Sequence, residues 1–315
     1  MSGRTAAGGA ETLRAAADDL AHHDVVLVTL DSLRFDTAAE AKVPHLDALG
    51  PLRRACSYGS FTLPSHAAIF GGFLPNVTEE PQWDFYSREQ RQLWRLSRAR
   101  QQAVPRTSTL LRGDTIVEGF AAAGYRTVGA GGVRWFSSGH FPALFDTFHY
   151  WGPTGDSSDK FAERRRGDFA LDHVEKLAGE VAGAERAFLF VNAAETHAPY
   201  TRGTGDAYDA ETQRVVRAWS GGWNGGEVVP STAAARQDMT RLREAQRIAL
   251  EDVDRKLGLL FEALPRPAVA VVCADHGEAF GEDGWWGHNQ PVPEVMQVPM
   301  WIGVVPGRGC QTAVT

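Results

Sequence analysis

Unbroken apolar runs alternate with amphipathic stretches along the chain. Residues 25–30 (VVLVTL), 187–193 (AFLFVNA) and 268–274 (AVAVVCA) are continuous and rich in β-branched residues. Such runs predict strands covered on both faces. Shorter runs at 126–130 and 298–305 predict two more. Helical patterns lie before and between them, at 11–22, 43–49, 65–70, 114–123 and 168–181. Their stops are written in the sequence: Gly50-Pro51 after the second, Gly71-Gly72 after the third, Gly124 after the fourth. The longest pattern, 240–264, repeats apolar residues such as Leu242, Ala245, Ala249, Val253, Leu257 and Leu260 at helical spacing before Pro265.

Buried strands alternating with helices predict an α/β fold: a mostly parallel central sheet with helices on both faces. In such sheets ligands bind beyond the carboxyl ends of the strands. Three of the predicted strands end in residues able to hold metal: Asp31, the Glu195-Thr196-His197 stretch, and Asp275-His276. Their convergence on one site is the main expectation. Two segments read as insertions. Residues 76–112 carry many aromatic and Arg side chains, concentrated at 83–106, and 200–236 is rich in Gly and polar residues. Both are expected to be caps or loops around the site. The 83–106 segment also reads as a solvated basic helix with inward Trp.

Composition narrows the class. With 315 residues, 43% hydrophobic and 23% charged, the chain is an ordinary globular one, long enough for a large core. A net charge of −7 disfavours a nucleic-acid binder, but one bound cation reverses a local field, so an anionic substrate stays open. The three cysteines, Cys56, Cys273 and Cys310, form no CxxC and suggest neither a disulfide scaffold nor a zinc–thiolate site. The first residues lack a signal-peptide core, and no run approaches membrane-spanning length. The expectation is a cytoplasmic protein with no membrane or nucleic-acid partner.

Each candidate carries two readings. Asp31 at a strand end suits a hard divalent cation or a solvated turn. Thr62, two before Pro64 at a helix start, suits a nucleophile beside a metal and an anion-binding N-terminus, or an ordinary hydroxyl turn. Asp275-His276 suits zinc or manganese, with His288 returning across a Gly-rich loop. His197 suits an oxyanion donor or a solvated loop residue.

Taken together, VTLDSLRFD, FTLPSHAAIFGGFLP, ETHAPY and ADHGEAFGEDGWWGHN resemble the alkaline phosphatase superfamily, in its sulfatase-like branch. VPHLDALG, DTIVEGFAAAGYRTVGAGG and ALEDVDRKLGLLFEAL agree in order and spacing, so the resemblance runs from about residue 24 to 305. It implies an alkaline phosphatase-like three-layer α/β/α fold, with residues 1–315 forming one catalytic domain. It implies Asp31, Thr62, Asp275 and His276 as metal ligands and Thr62 as the nucleophile. His197 and His288 are implied beside the scissile group, and His66, Arg34, Trp135 and His140 as substrate contacts.

Departures shape the expectation. Formylglycine sulfatases carry Cys or Ser in a C/S-x-P-x-R pattern, whereas this chain reads Thr62-Leu63-Pro64-Ser65-His66. T-x-P-x-H resembles the nucleotide pyrophosphatase/phosphodiesterase branch, yet the Asp expected four before His197 is Ala193. The ligand set resembles single-metal lipoteichoic acid synthases and phosphoethanolamine transferases, which are membrane-anchored. The expected activity is metal-dependent hydrolysis of a small phosphate or phosphonate ester through phospho-threonine. Phosphoryl or sulfuryl transfer to a small metabolite is the enzymatic alternative, and a non-catalytic metal-binding domain the other. One Mn or Zn ion is expected, with a second left open.

Overall fold

A computed structural model of the chain describes residues 23–72, 113–137, 139, 141–152, 168–200 and 233–308. The strands are β1 (Asp24–Leu30), β2 (Arg53–Cys56), β3 (Arg126–Gly131), β4 (Thr147–Tyr150), β5 (Ala187–Ala193), β6 (Ala268–Ala274), β7 (Ala279–Phe280), β8 (Trp286–Gly287) and β9 (Gln297–Val305). The helices are α1 (Phe35–Glu40), α2 (Pro44–Leu49), α3 (Thr62–Gly71), α4 (Ile116–Ala122), α5 (Val174–Ala182), α6 (Ala233–Ala263) and α7 (Pro293–Met296). Seven strands form one sheet in the order β2-β9-β6-β1-β5-β3-β4, and β7 pairs with β8 in a small separate ribbon. The pairs among β6, β1, β5, β3 and β4 are parallel, whereas β9 runs antiparallel to both β6 and β2. The α/β class and the mostly parallel sheet are therefore as the hydrophobic runs require.

Strand alternation explains the three layers. Along β1, Val26, Val28 and Leu30 enter a core built with Leu250, Val253, Leu257 and Leu260 of α6. Val25 and Leu27 point the other way, into a core with Phe70, Phe136, Phe141 and Phe190. Both faces are dry, so the strands carry no polar alternation until their last residues. On the aromatic face β1 and β5 run in register: Val25 with Phe188, Leu27 with Phe190, and Thr29 with Asn192. The next polar pair thus arises at the carboxyl edge of that face. Edge-to-face contacts such as Phe70–Phe190, with centroids 5.0 Å apart, fix this layer beyond what area alone would give.

Boundaries differ from the sequence reading in instructive places. The helix expected to open at Ser65 begins at Thr62, with Phe61 as N-cap in extended conformation. Pro64 lies inside its first turn, where a missing N–H costs nothing. Residues 170–173 form a tight 3-10 turn that leads into α5 rather than helix throughout. β2 and β4 escape the sequence reading because four-residue edge strands with polar positions give little periodic signal. The helix predicted at 11–22 and the 76–112 insertion lie outside the described residues. So does the 200–236 segment, apart from Tyr200 and the first turn of α6.

Candidate metal and phosphoryl-transfer centre

Parallel strands put their carboxyl ends on one edge, and β6, β1 and β5 are neighbours. Asp275-His276, Asp31 and the 195–197 turn therefore meet without long excursions. One oxygen each of Asp31 and Asp275 and a ring nitrogen of His276 lie within 4.8 Å of one another. All three side chains are buried. His276 Nε2 is 3.6 Å from Asp275 Oδ2 and 4.0 Å from Asp31 Oδ1. Thr62 Oγ1, at the first residue of α3, lies 3.4 Å from the same Nε2.

The donor set fits a divalent cation. Asp275 Oδ1 accepts from the backbone N–H of Ser32 at 3.1 Å and of His276 at 2.9 Å. Its Oδ2 is buried with no hydrogen-bond partner among the described residues. His276 Nδ1 donates to Gly277 O at 2.9 Å, which fixes the tautomer and leaves Nε2 with a free lone pair. Asp31 accepts from Ser32 Oγ at 3.2 Å and from Asn192 Nδ2 at 3.2 Å. Burial, reinforced by the Asp31 carboxylate, pushes Asp275 well above the usual carboxylate range. Two buried carboxylates and an imidazole whose lone pairs converge are what a cation neutralises.

Two further histidines border this centre. The ring centroids of His276 and His288 are 4.6 Å apart, and those of His288 and His197 5.7 Å. His288 Nδ1 is 2.9 Å from Oε1 of the buried Glu278, and Glu278 Oε2 has no hydrogen-bond partner among the described residues. Burial raises Glu278 to about 7 against the pull of His197 and His276. His197 Nδ1 donates to Ala198 O at 2.7 Å.

The four residues expected to contact substrate fare differently. Arg34 is 3% exposed and committed elsewhere, which corrects its assignment. Its guanidinium grips both oxygens of Asp36 at 2.8 and 2.7 Å, Glu282 Oε1 at 2.6 Å and Glu278 O at 3.2 Å. It thereby tethers the 278–284 loop that sets Glu278 and His288. Arg34→Ala takes the Arg34 cation from Glu282 and leaves Asp36 with only the more distant Arg243, 3.5 Å away, and is expected to cost about 2–4 kcal/mol. Calorimetric melting of the variant checks this; an unchanged melting temperature would refute the tether. His66 is also corrected: its ring is wholly buried among Phe70, Phe136, Phe141 and Phe190 rather than facing a substrate. Trp135 is 44% exposed, its ring centroid 6.2 Å from that of Phe61, the neighbour of Thr62. His140 lies outside the described residues.

Sequence reading missed Glu278, Ser32 and Asn192. Asn192 carries a usable signal, since an amide in an otherwise apolar, doubly covered strand must find hydrogen-bond partners. Nothing local distinguishes Glu278 from a solvated loop carboxylate, because its burial is a tertiary effect.

No protein-family profile matches the chain, and no curated protein sequence does. Among solved structures, it is similar to the C-terminal periplasmic domain of phosphoethanolamine transferase EptC from Campylobacter jejuni. The identity is 12% and the TM-score 0.55, over 90% of this chain and 80% of that one. The C-terminal periplasmic domain of EcEptC from Escherichia coli matches at 14% identity and TM-score 0.54, over 90% and 72% of the two chains. BT1596, a 2-O GAG sulfatase, matches at 13% identity and TM-score 0.52, over 90% and 64%. The chain has the fold these proteins share, the alkaline phosphatase-like three-layer arrangement its motifs imply. The E. coli domain has also been solved as a complex with Zn.

These likenesses overturn the cytoplasmic expectation. The matched EptC domains are periplasmic, which contradicts the cytoplasmic placement. Among the described residues no helix is long and apolar enough to cross a membrane.

Proposed function

We propose that this chain is a single-domain, metal-dependent enzyme that hydrolyses a phosphate or phosphonate ester through Thr62. The observation that carries the reading is the placement of a helix-initial threonine hydroxyl 3.4 Å from Nε2 of His276, itself a member of the Asp31–Asp275–His276 cluster. Zinc or manganese suits two carboxylate oxygens, one imidazole and one hydroxyl oxygen. Such a cation would supply Lewis-acid charge that lowers the hydroxyl pKa and balances the transferring group.

The protein's own groups complete the chemistry. Thr62 Oγ1 gives its proton to a solvent water and forms the bond to phosphorus in line with the leaving oxygen. The P–O bond to that oxygen breaks, the electron pair leaves with it, and His288 or His197 supplies the proton. Water then attacks phosphorus on the opposite course, restoring the threonine hydroxyl and releasing phosphate. The substrate is a small anionic ester, and no nucleic acid is required. Transfer to an acceptor alcohol in place of water is the second reading. The fold likeness to EptC, a phosphoethanolamine transferase in Campylobacter jejuni, favours it.

A panel of nitrophenyl phosphate monoesters, diesters, phosphonates and sulfates, assayed after chelation and restoration of Zn2+ or Mn2+, tests this function. Turnover of a phosphorus ester that needs the restored ion is expected, and adding alcohols while following products separates hydrolysis from transfer. Bound metal with no turnover of any ester would instead mark a non-catalytic metal-binding domain.

A further inference from the structure

His66 lies directly beneath the proposed centre, and its surroundings determine its state. Nδ1 is 2.8 Å from the backbone carbonyl of Thr62, an atom that can only accept, so Nδ1 carries the proton. Nε2 is 2.9 Å from Thr29 Oγ1 and, in the neutral ring, accepts that hydroxyl's proton. Thr29 Oγ1 in turn accepts from Asn192 Nδ2 at 3.3 Å. The other hydrogen of the same amide goes to Asp31 Oδ2 at 3.2 Å. Reversing the Asn192 amide would set its oxygen against the Asp31 carboxylate, so the direction of the whole chain is fixed. His66, Thr29 and Asn192 are each fully buried. Four phenylalanines surround the ring, with centroids 5.0–5.9 Å from it, and the nearest further polar atom is Asp275 Oδ2, 3.6 Å from Nδ1.

We infer that His66 is a positioning residue: through Thr29 and Asn192 it ties the backbone of Thr62 to the Asp31 carboxylate, setting the attacking hydroxyl against the cation site. The inference builds on the proposed role of Thr62. A helix start is otherwise a loose place for a nucleophile, because Phe61 makes no side-chain cap. The relay instead holds the Thr62 carbonyl through a link across three elements, β1, β5 and α3. Asn192 donates to both sides, to Asp31 on one and to Thr29 on the other, and along the Asn192–Thr29–His66–Thr62 arm the donors point toward Thr62 O, so each hydrogen bond there polarises the next. An apolar cage around a single polar ring also excludes water from the linkage, and so keeps its geometry single-valued. Lone histidines in a core of phenylalanine need such complete pairing to be tolerated.

The test combines a structural readout with a functional one, on the full chain loaded with Zn2+. Nitrogen-15 NMR of labelled histidine is expected to show His66 protonated at Nδ1 and bare at Nε2; the opposite tautomer overturns the relay. His66→Phe keeps a ring in the cage but removes both bonds. It is expected to lower kcat by about 10- to 100-fold with KM changed by less than about threefold, and to weaken Zn2+ binding by about tenfold. His66→Asn keeps a donor toward Thr62 O and is expected to recover kcat to within about fivefold of the parent. Thr29→Val, which conserves volume and removes one hydroxyl, is expected to lower kcat by about tenfold. A folded His66→Phe protein with parental kcat and Zn2+ affinity overturns the inference. So does an equal loss in the Phe and Asn variants, which would mark His66 as mere packing. If the parent protein turns over no ester, the proposed function fails. The tautomer and the Zn2+ affinity of His66→Phe then still decide the relay by themselves.

Discussion

Thr62→Ala is expected to reduce turnover of the best phosphoester by about 10⁴- to 10⁶-fold, the range seen when a covalent nucleophile is removed from a site whose electrostatics survive. The structure makes this a clean deletion. Thr62 is the first residue of α3, and its hydroxyl serves no helix cap. Its methyl loss from a small buried position is worth about 1 kcal/mol, so the variant should fold. Rapid quenching followed by mass spectrometry of the peptide containing Thr62 should find a phosphate adduct in the parent and none in the variant. Thr62→Ser, retaining a hydroxyl, should keep the adduct and regain most of the rate. A variant lacking the hydroxyl that still turns over within about tenfold of the parent would rule out the covalent route and point to direct attack by water.

The same structural logic shows which parts of the molecule could be read in advance. Doubly covered parallel strands are legible because nothing polar interrupts them, and β1, β5 and β6 stand within a residue or so of their apolar runs. Their carboxyl ends were therefore legible too, and with them Asp31, Asp275 and His276, since adjacency of strands in the sheet converts sequence ends into spatial neighbours. What sequence could not supply is the direction of a side chain relative to a third element. Arg34 follows Asp31 closely and looked available to an anion. Only the fold reveals that Asp36 from the next turn, Glu282 from a loop 248 residues away and the Glu278 carbonyl take four of its five N–H donors. His66 sits one helical turn after Thr62 and looked like a neighbour in function. Its ring instead points inward, because α3 packs on the aromatic face of the sheet and that turn faces Phe190. Glu278 shows the limit in the other sense: a carboxylate that no sequence pattern marks is fully buried and hydrogen-bonded to His288.

Removing the bound ion should destabilise the protein measurably, and the cause can be isolated by one substitution. Asp31 and Asp275 are 0% and 1% exposed, and their ligand oxygens share one small cluster with His276. Without a cation, two carboxylates in that volume cannot both stay ionised at low cost, and Asp275 is the one pushed toward its neutral form by burial and by Asp31. Binding of Zn2+ or Mn2+ relieves this, and at about a hundred times its dissociation constant adds roughly 2.7 kcal/mol to stability. For a chain of this size that corresponds to a melting temperature about 4 °C higher than after chelation. Asp275→Asn should invert the pattern. Its carbonyl oxygen can keep the two backbone bonds from Ser32 and His276, while its amide replaces a repelled oxygen with a donor toward Asp31. The chelated variant should therefore melt no lower than the chelated parent, yet gain nothing when the ion is restored. Loss of the ion response together with an unchanged or higher baseline would locate the cation between these carboxylates. A parent protein whose melting is indifferent to chelation and restoration, with Asp275→Asn simply less stable, would remove the metal from the site and with it the activation of Thr62.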